Sequence, residues 1–242
     1  MQQANDNREF ALDFMQGAQG VLSRIAETQQ AVLEQAAKLM ADTIEKGGLI
    51  YAFGSGHSQS VANEFYYRAG GLACCDVIHE KTFGLSERLP GYAALILDTY
   101  PVRAGDLMVV ISNSGRNALP VEMAMCARER KMKVVGITSL EHSRSVTSRL
   151  PGGERLFEVC DVVIDNCGTA GDAVVEVAKD TWVGATSTLA GIFIAQTLVC
   201  LATGELLRRG INPPVLLSMN LDEGDDHNHA LLESYRQRIR GL

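Results

Sequence analysis

The residues whose types could do chemistry are concentrated first in the segment from Asp106 to Asn117, DLMVVISNSGRN. Five apolar residues, Leu107 to Ile111, read as a strand buried on both faces, and the run breaks into Ser112, Asn113, Ser114, Gly115, Arg116 and Asn117. A helix is expected from Ala118 to Lys131, with Leu119, Met123, Cys126 and Ala127 near a 3.6-residue period and Pro120 in the first turn. Hydroxyls and free backbone N–H groups at the positive end of a helix make a site for a phosphate or another anion. The same residues also make an ordinary polar turn with an N-cap, so one motif does not separate the two readings.

Repetition shifts the balance toward a site. Leu49 to Phe53 is a second apolar strand, and it breaks into Gly54, Ser55, Gly56, His57 and Ser58 before a helix expected from about Gln59 to Arg68. A third hydroxyl cluster, Thr186, Ser187 and Thr188, opens an apolar helix running to about Arg209, where Gly210, Pro213 and Pro214 stop it. Two strand, Ser/Gly loop, helix units in one chain suggest a binding cleft at one edge of a parallel sheet.

The elements that must position these loops follow from periodicity. From about Gly20 to Lys46, Leu22, Ile25, Leu33, Ala36, Met40 and Ile44 alternate with charge and predict one long amphipathic helix ending at Gly47 and Gly48. Lys133 to Thr138 and Asp161 to Asp165 are two further buried strands. Strands alternating with helices at this spacing imply an α/β sandwich with a mostly parallel sheet. Leu72 to Tyr100 lacks clear periodicity, and long irregular connections are often functional, so it is the candidate for substrate selection. Ser139 to Glu154 is expected as a surface excursion, Asn166 to Ala185 as a loop-rich passage, and Asp222 to Ile239 as an acidic turn feeding a short helix. One domain spanning 1–242 is expected, with a core of about 49–209, an N-terminal helical extension 1–46 and a C-terminal helical tail 215–242.

Composition narrows the function classes. With 22 Lys and Arg against 29 Asp and Glu, the net charge of -7 leaves no electrostatic footprint for nucleic acid or an anionic membrane. The six cysteines contain no CxxC pair, and Cys74 and Cys75 are adjacent, which suits a reduced compartment. MQQANDNREF has no signal-peptide apolar core, so a cytoplasmic protein is expected. Trp182 to Gly204 carries no charge, but its strongly apolar part, Leu189 to Ala202, is short for a membrane span and is expected in a core or subunit interface. Asp222, Asp225, Asp226, His227 and His229 match no standard metal spacing, and neither metal nor cofactor is expected.

Taken together, FGSGHS (53–58), ISNSGRN (111–117) and TSTLAG (186–191) resemble the sugar isomerase, or SIS, domain family over roughly Leu49 to Arg209. The resemblance is strongest to a stand-alone phosphosugar-binding subgroup related to phosphoheptose isomerases. It implies a three-layer flavodoxin-like α/β/α fold, a homodimer or homotetramer with sites near subunit boundaries, and a phosphosugar ligand. Ser55, Ser112 and Ser114 match the family's phosphate-contacting serines, while Asn117 departs from the threonine often found there.

The same resemblance makes Glu64, in NEFYYRAG, the counterpart of the carboxylate base that moves a proton between adjacent carbons through an enediol. Arg68 stands four residues on, so a plain i,i+4 ion pair is the competing account. His57, inside the first loop, suits sugar-ring opening or phosphate contact, or is a surface histidine. The family's later-helix histidine has no match between Thr186 and Arg209, and His79 with Glu80 is a weaker acid/base pair. Two function classes remain: an aldose–ketose sugar-phosphate isomerase, or a lyase or deaminating isomerase on amino-sugar phosphates; and a phosphosugar sensor without turnover.

Overall fold

In the computed structural model, which describes residues 7–222 and 224–239, the chain runs α1 (Asn7–Thr28), α2 (Gln30–Glu45), β1 (Ile50–Gly54), α3 (Ser58–Asn63), β2 (Cys75–Ile78), α4 (Tyr92–Leu97), β3 (Leu107–Ile111) and α5 (Ala118–Glu129). It continues through β4 (Lys133–Thr138), α6 (Leu140–Ser145), α7 (Leu156–Val159), β5 (Val162–Asp165), β6 (Ala173–Ala178), β7 (Thr181–Ala185), α8 (Ser187–Arg208) and α9 (Gly224–Glu233). Five strands form a parallel sheet in the order β2-β1-β3-β4-β5. That is the flavodoxin-like order, which reverses direction between β1 and β3. β1 and β3 are buried along their whole length, as expected of central strands covered by helices on both sides. α2 and α3 pack on the sheet with α8 against both, and α5 packs on β1, β3 and β4 with α4 and α7 beside it.

Several expectations are corrected by tertiary contacts. A long N-terminal helix is present as α1, but the single helix expected from about Gly20 to Lys46 is interrupted at Gln29. The Thr28 hydroxyl turns back to the Arg24 carbonyl at 2.6 Å, and the Gln29 side chain accepts from the Asp165 N–H at 3.1 Å. The helix expected to Arg68 ends at Asn63, because the following chain pairs elsewhere: Gly70 N–H donates to the Leu216 carbonyl and Leu216 N–H to that of Gly71. The irregular 72–100 stretch contains β2, a short buried edge strand whose apolar run Asp76 interrupts, and α4. Asn166 to Ala185 is no mere loop, since β6 and β7 form an antiparallel hairpin turning at Lys179 and Asp180. Two β-branched runs around a two-residue turn were the available signal.

α8 is long and apolar enough to cross a membrane by length and composition. It is also a core helix: Ala190, Gly191, Ile194, Ala195, Leu198, Val199, Ala202 and Leu206 are buried. Gly191 is required for its seat, because a β-carbon there would stand 2.6 Å from a methyl of Val61 on α3. α9 occupies part of the acidic segment, where His227 Nε2 lies 3.0 Å from the Val215 carbonyl oxygen and Asn228 clasps both the N–H and the carbonyl of Leu217.

Candidate functional site: the crevice between β1 and β3

The register sets Ile50 opposite Leu107 and Gly54 opposite Ile111, so the two central strands end level. Their loops therefore leave the sheet side by side at the point where strand order reverses, the place where ligands bind in open α/β sheets. The first loop is a tight turn, with Ser58, Gln59 and Ser60 donating N–H groups to the carbonyls of Ser55, Gly56 and His57. Only glycine fits its entry, because a β-carbon on Gly54 would stand 2.3 Å from the Ser58 carbonyl oxygen. Ser55 is buried, and its hydroxyl has no hydrogen-bond partner among the described residues. A buried unsatisfied hydroxyl is costly and calls for an explanation.

In the second loop the Ser112 hydroxyl accepts from the Gly115 N–H at 3.2 Å, and Gly115 adopts a left-handed φ of 58° over the hydroxyls of Thr138 and Ser143. Asn113 is fixed from below: its side-chain oxygen accepts from Asn166 Nδ2 at 2.9 Å, and its carbonyl accepts from Ser139 N at 3.0 Å. Ser114 is half-buried and makes no hydrogen bond with the described residues, so its hydroxyl is open beside Ser55 and Ser112 at the same sheet edge.

The 79–91 loop covers this crevice. Gly84 lies over Gly56, where a β-carbon would stand 3.3 Å from the Gly56 α-carbon and 4.0 Å from the Ser55 hydroxyl. The loop is wound around the buried Glu80 carboxylate, which accepts from Thr82 N at 2.6 Å, Gly84 N at 2.7 Å, Ser86 Oγ at 3.0 Å and the Thr82 hydroxyl. Burial works to raise the Glu80 pKa, but these bonds outweigh it and hold the carboxyl below its ordinary value. At the far end, Glu87 accepts from Asn117 Nδ2 at 2.7 Å and its carbonyl accepts the Leu119 N–H at 3.0 Å. Burial pushes the Glu87 pKa up.

These contacts sort the site residues read from the sequence. Gly54, Ser55, Gly56, Ser58, Ser112, Asn113, Ser114 and Gly115 are gathered at one edge, with His57 exposed at the start of α3, its ring without a hydrogen bond to the described residues. Asn117 is not free to donate as expected, because its amide bridges Glu87 and Arg149 Nη1, the latter at 2.8 Å. The start of α8 already holds an anion. Asp172 accepts from Thr186 N at 3.0 Å, Ser187 N at 2.7 Å and Ser187 Oγ at 2.6 Å. The reading of Thr186, Ser187 and Thr188 as open donors is corrected to that extent, with the buried Thr186 hydroxyl left unpartnered.

Glu64 caps the end of α3, its carboxylate paired with Arg68 and 3.2 Å from Gln196 Nε2 of α8. The anticipated ion pair is thus present. The contacts that sequence reasoning missed, Glu80 to its loop, Glu87 to Asn117 and Asn166 to Asn113, join residues two to fifty-three positions apart in the chain. No local pattern announces them.

A parallel sheet of this order with two Ser/Gly loops at its switch point is a flavodoxin-like α/β domain. The chain belongs to the SIS domain family, whose model matches residues 13–139, and to the UPF0309 group within reach of it. It is 40% identical over 240 residues to a UPF0309 protein of Streptomyces coelicolor, covering 93% of this chain and 95% of that one. A UPF0309 protein of Halalkalibacterium halodurans is 40% identical over 225 residues, covering 89% and 93%. Among solved structures, the phosphoheptose isomerase of Neisseria gonorrhoeae is similar in fold, with a TM-score of 0.58 at 19% identity, covering 82% of this chain and all of that one. The Vibrio vulnificus NanR protein complexed with ManNAc-6P has a TM-score of 0.52 at 18% identity, covering 99% and 72%.

Proposed function

We propose that this protein binds a phosphosugar in the crevice between β1 and β3 and interconverts its aldose and ketose forms. The observation that carries the binding is the Ser55 hydroxyl, buried and unpartnered at the switch point, with the open Ser114 hydroxyl and glycine backbone beside it. A phosphate oxygen supplies the missing acceptor. In this reading Gly54, Ser55, Gly56, Ser58, Ser112, Asn113, Ser114 and Gly115 cradle the phosphate, and His57 faces the sugar. Glu64 takes the proton from the carbon beside the carbonyl and returns it to the neighbouring carbon through an enediol.

One observation favours a second reading, binding without turnover. Glu64 is already the partner of Arg68 and Gln196, so its carboxylate is engaged in contacts within the fold. Glu64→Gln separates the two. Once a substrate is found by following a panel of sugar phosphates by NMR, loss of a general base lowers turnover by roughly 10²–10⁴-fold with affinity within a few fold. Full activity in the Gln variant removes Glu64 from the mechanism. We also read the chain as a homo-oligomer, because Leu12, Met15, Trp182, Val183 and Leu189 are exposed on α1, β7 and the start of α8. A single monomeric species in sedimentation at micromolar concentration would contradict this.

A further inference from the structure

Three arginines adjoin the second loop and its neighbours with no carboxylate in ion-pair contact among the described residues. Arg116 follows Gly115 in the second loop, Arg149 comes from the excursion between α6 and α7, and Arg88 adjoins Glu87 in the covering loop. They are tied together by neutral groups. Arg149 Nη1 donates to Asn117 Oδ1 at 2.8 Å, the Arg149 N–H donates to the Arg116 carbonyl at 2.7 Å, and Arg116 Nε donates to the Thr147 carbonyl at 2.9 Å. Among the described residues no carboxylate lies within 4.0 Å of any of the three. Glu87, which acts electrostatically on Arg88 and Arg149, places its carboxylate on Asn117 at 2.7 Å. Neighbouring cations are committed instead: Arg155 pairs with Glu158, and Arg144 lies over the Phe157 ring.

Arg88 and Arg149 are exposed and Arg116 is half-buried, with Glu87 the acid that acts on Arg88 and Arg149, so the cluster keeps positive charge open to an added anion. The Arg149 guanidinium has its pKa lowered first by partial desolvation and then by Arg116 and Arg88, with Glu87 acting the other way. The bonds in hand use one Nη of Arg149 and one edge of Arg116, leaving other N–H donors on each, and guanidinium groups match carboxylate and phosphate oxygens in pairs. Arg116 is two residues beyond Ser114 and just before α5, which puts the cluster on the same loop as the phosphate cradle.

We propose that Arg88, Arg116 and Arg149 form a second anion subsite, so that the substrate is a sugar carrying a phosphate at one end and a carboxylate or second phosphate at the other. This rests on the cradle reading above. The test is calorimetric titration of the full chain with matched probes: glucose 6-phosphate against 6-phosphogluconate, and ribose 5-phosphate against ribulose 1,5-bisphosphate. At least one doubly anionic probe should bind roughly tenfold or more tighter than its partner, with the advantage shrinking as salt is raised. Arg88→Gln with Arg149→Gln should abolish the advantage, and Arg88→Lys with Arg149→Lys should restore part of it. Which probe gains most distinguishes a carboxylate from a phosphate.

Equal affinity within both pairs overturns the subsite while leaving the cradle intact, and an advantage that survives the Gln substitutions does the same. Failure of all four probes to bind in the millimolar range takes the cradle reading down and the subsite with it. A change of oligomeric state in the Gln variant, with ligand discrimination unaltered, would assign the arginines to carboxylates of a second copy and also overturn the proposal.

Discussion

Gly84 of the covering loop rests on Gly56 of the first Ser/Gly loop, where a β-carbon on Gly84 would stand 3.3 Å from the Gly56 α-carbon, tighter than an ordinary contact. Gly84 also adopts a φ of 87°, a conformation that side chains rarely take. Gly84→Val is expected to lift the loop from Gly56, lowering phosphosugar affinity by at least about tenfold, or ~1.4 kcal/mol. Titration of the variant against the wild type checks this. Unchanged affinity would mean that the loop covers the crevice without shaping it.

Ser55→Ala has opposite consequences for stability and binding. The hydroxyl is buried and unpartnered in the free protein, so its removal should leave stability within about 0.5 kcal/mol or raise it. Affinity for a phosphosugar should fall by roughly 1 to 3 kcal/mol, the cost of losing a donor to a charged group. Denaturant melts and calorimetry on one preparation give both values. A destabilised variant with normal affinity would sink the cradle as described.

Acid should loosen the covering loop through Glu80. Its folded pKa lies below the ordinary 4.5, so its contribution is fully present above the ordinary carboxylate range and is lost as pH falls through the folded value. The midpoint of urea unfolding, followed from about pH 6 to about pH 3, should therefore fall more steeply in the wild type than in Glu80→Gln. Parallel curves would show that the four bonds to the carboxylate add nothing to the charged form.

The legible part of this protein lay where local sequence and local structure coincide. β3 is Leu107–Ile111, as the apolar run predicts, and β4 is Lys133–Thr138. α5 starts at Ala118, directly after the Ser/Gly loop. A buried parallel strand must be apolar throughout, and a loop that turns tightly into a helix needs glycine and small hydroxyl residues, so both leave local marks. Those marks implied an α/β sandwich with a mostly parallel sheet, and the resemblance they carry to the SIS family implied its flavodoxin-like form.

What only the tertiary structure decided is which of the marked groups are free. Ser55 and Asp172 illustrate the difference. A serine at a helix start looks the same in sequence whether its hydroxyl is orphaned, as in Ser55, or satisfied by a carboxylate fifteen residues away, as Ser187 is by Asp172. The same holds for Glu64, whose partner Gln196 is 132 residues distant, and for Asn117, claimed by Glu87 and Arg149. Sequence fixes the kind of group at each position through short-range sterics and burial. Its partners are set by chain segments brought together only when the sheet forms, and a polar group becomes a binding group only where that packing leaves it unmatched.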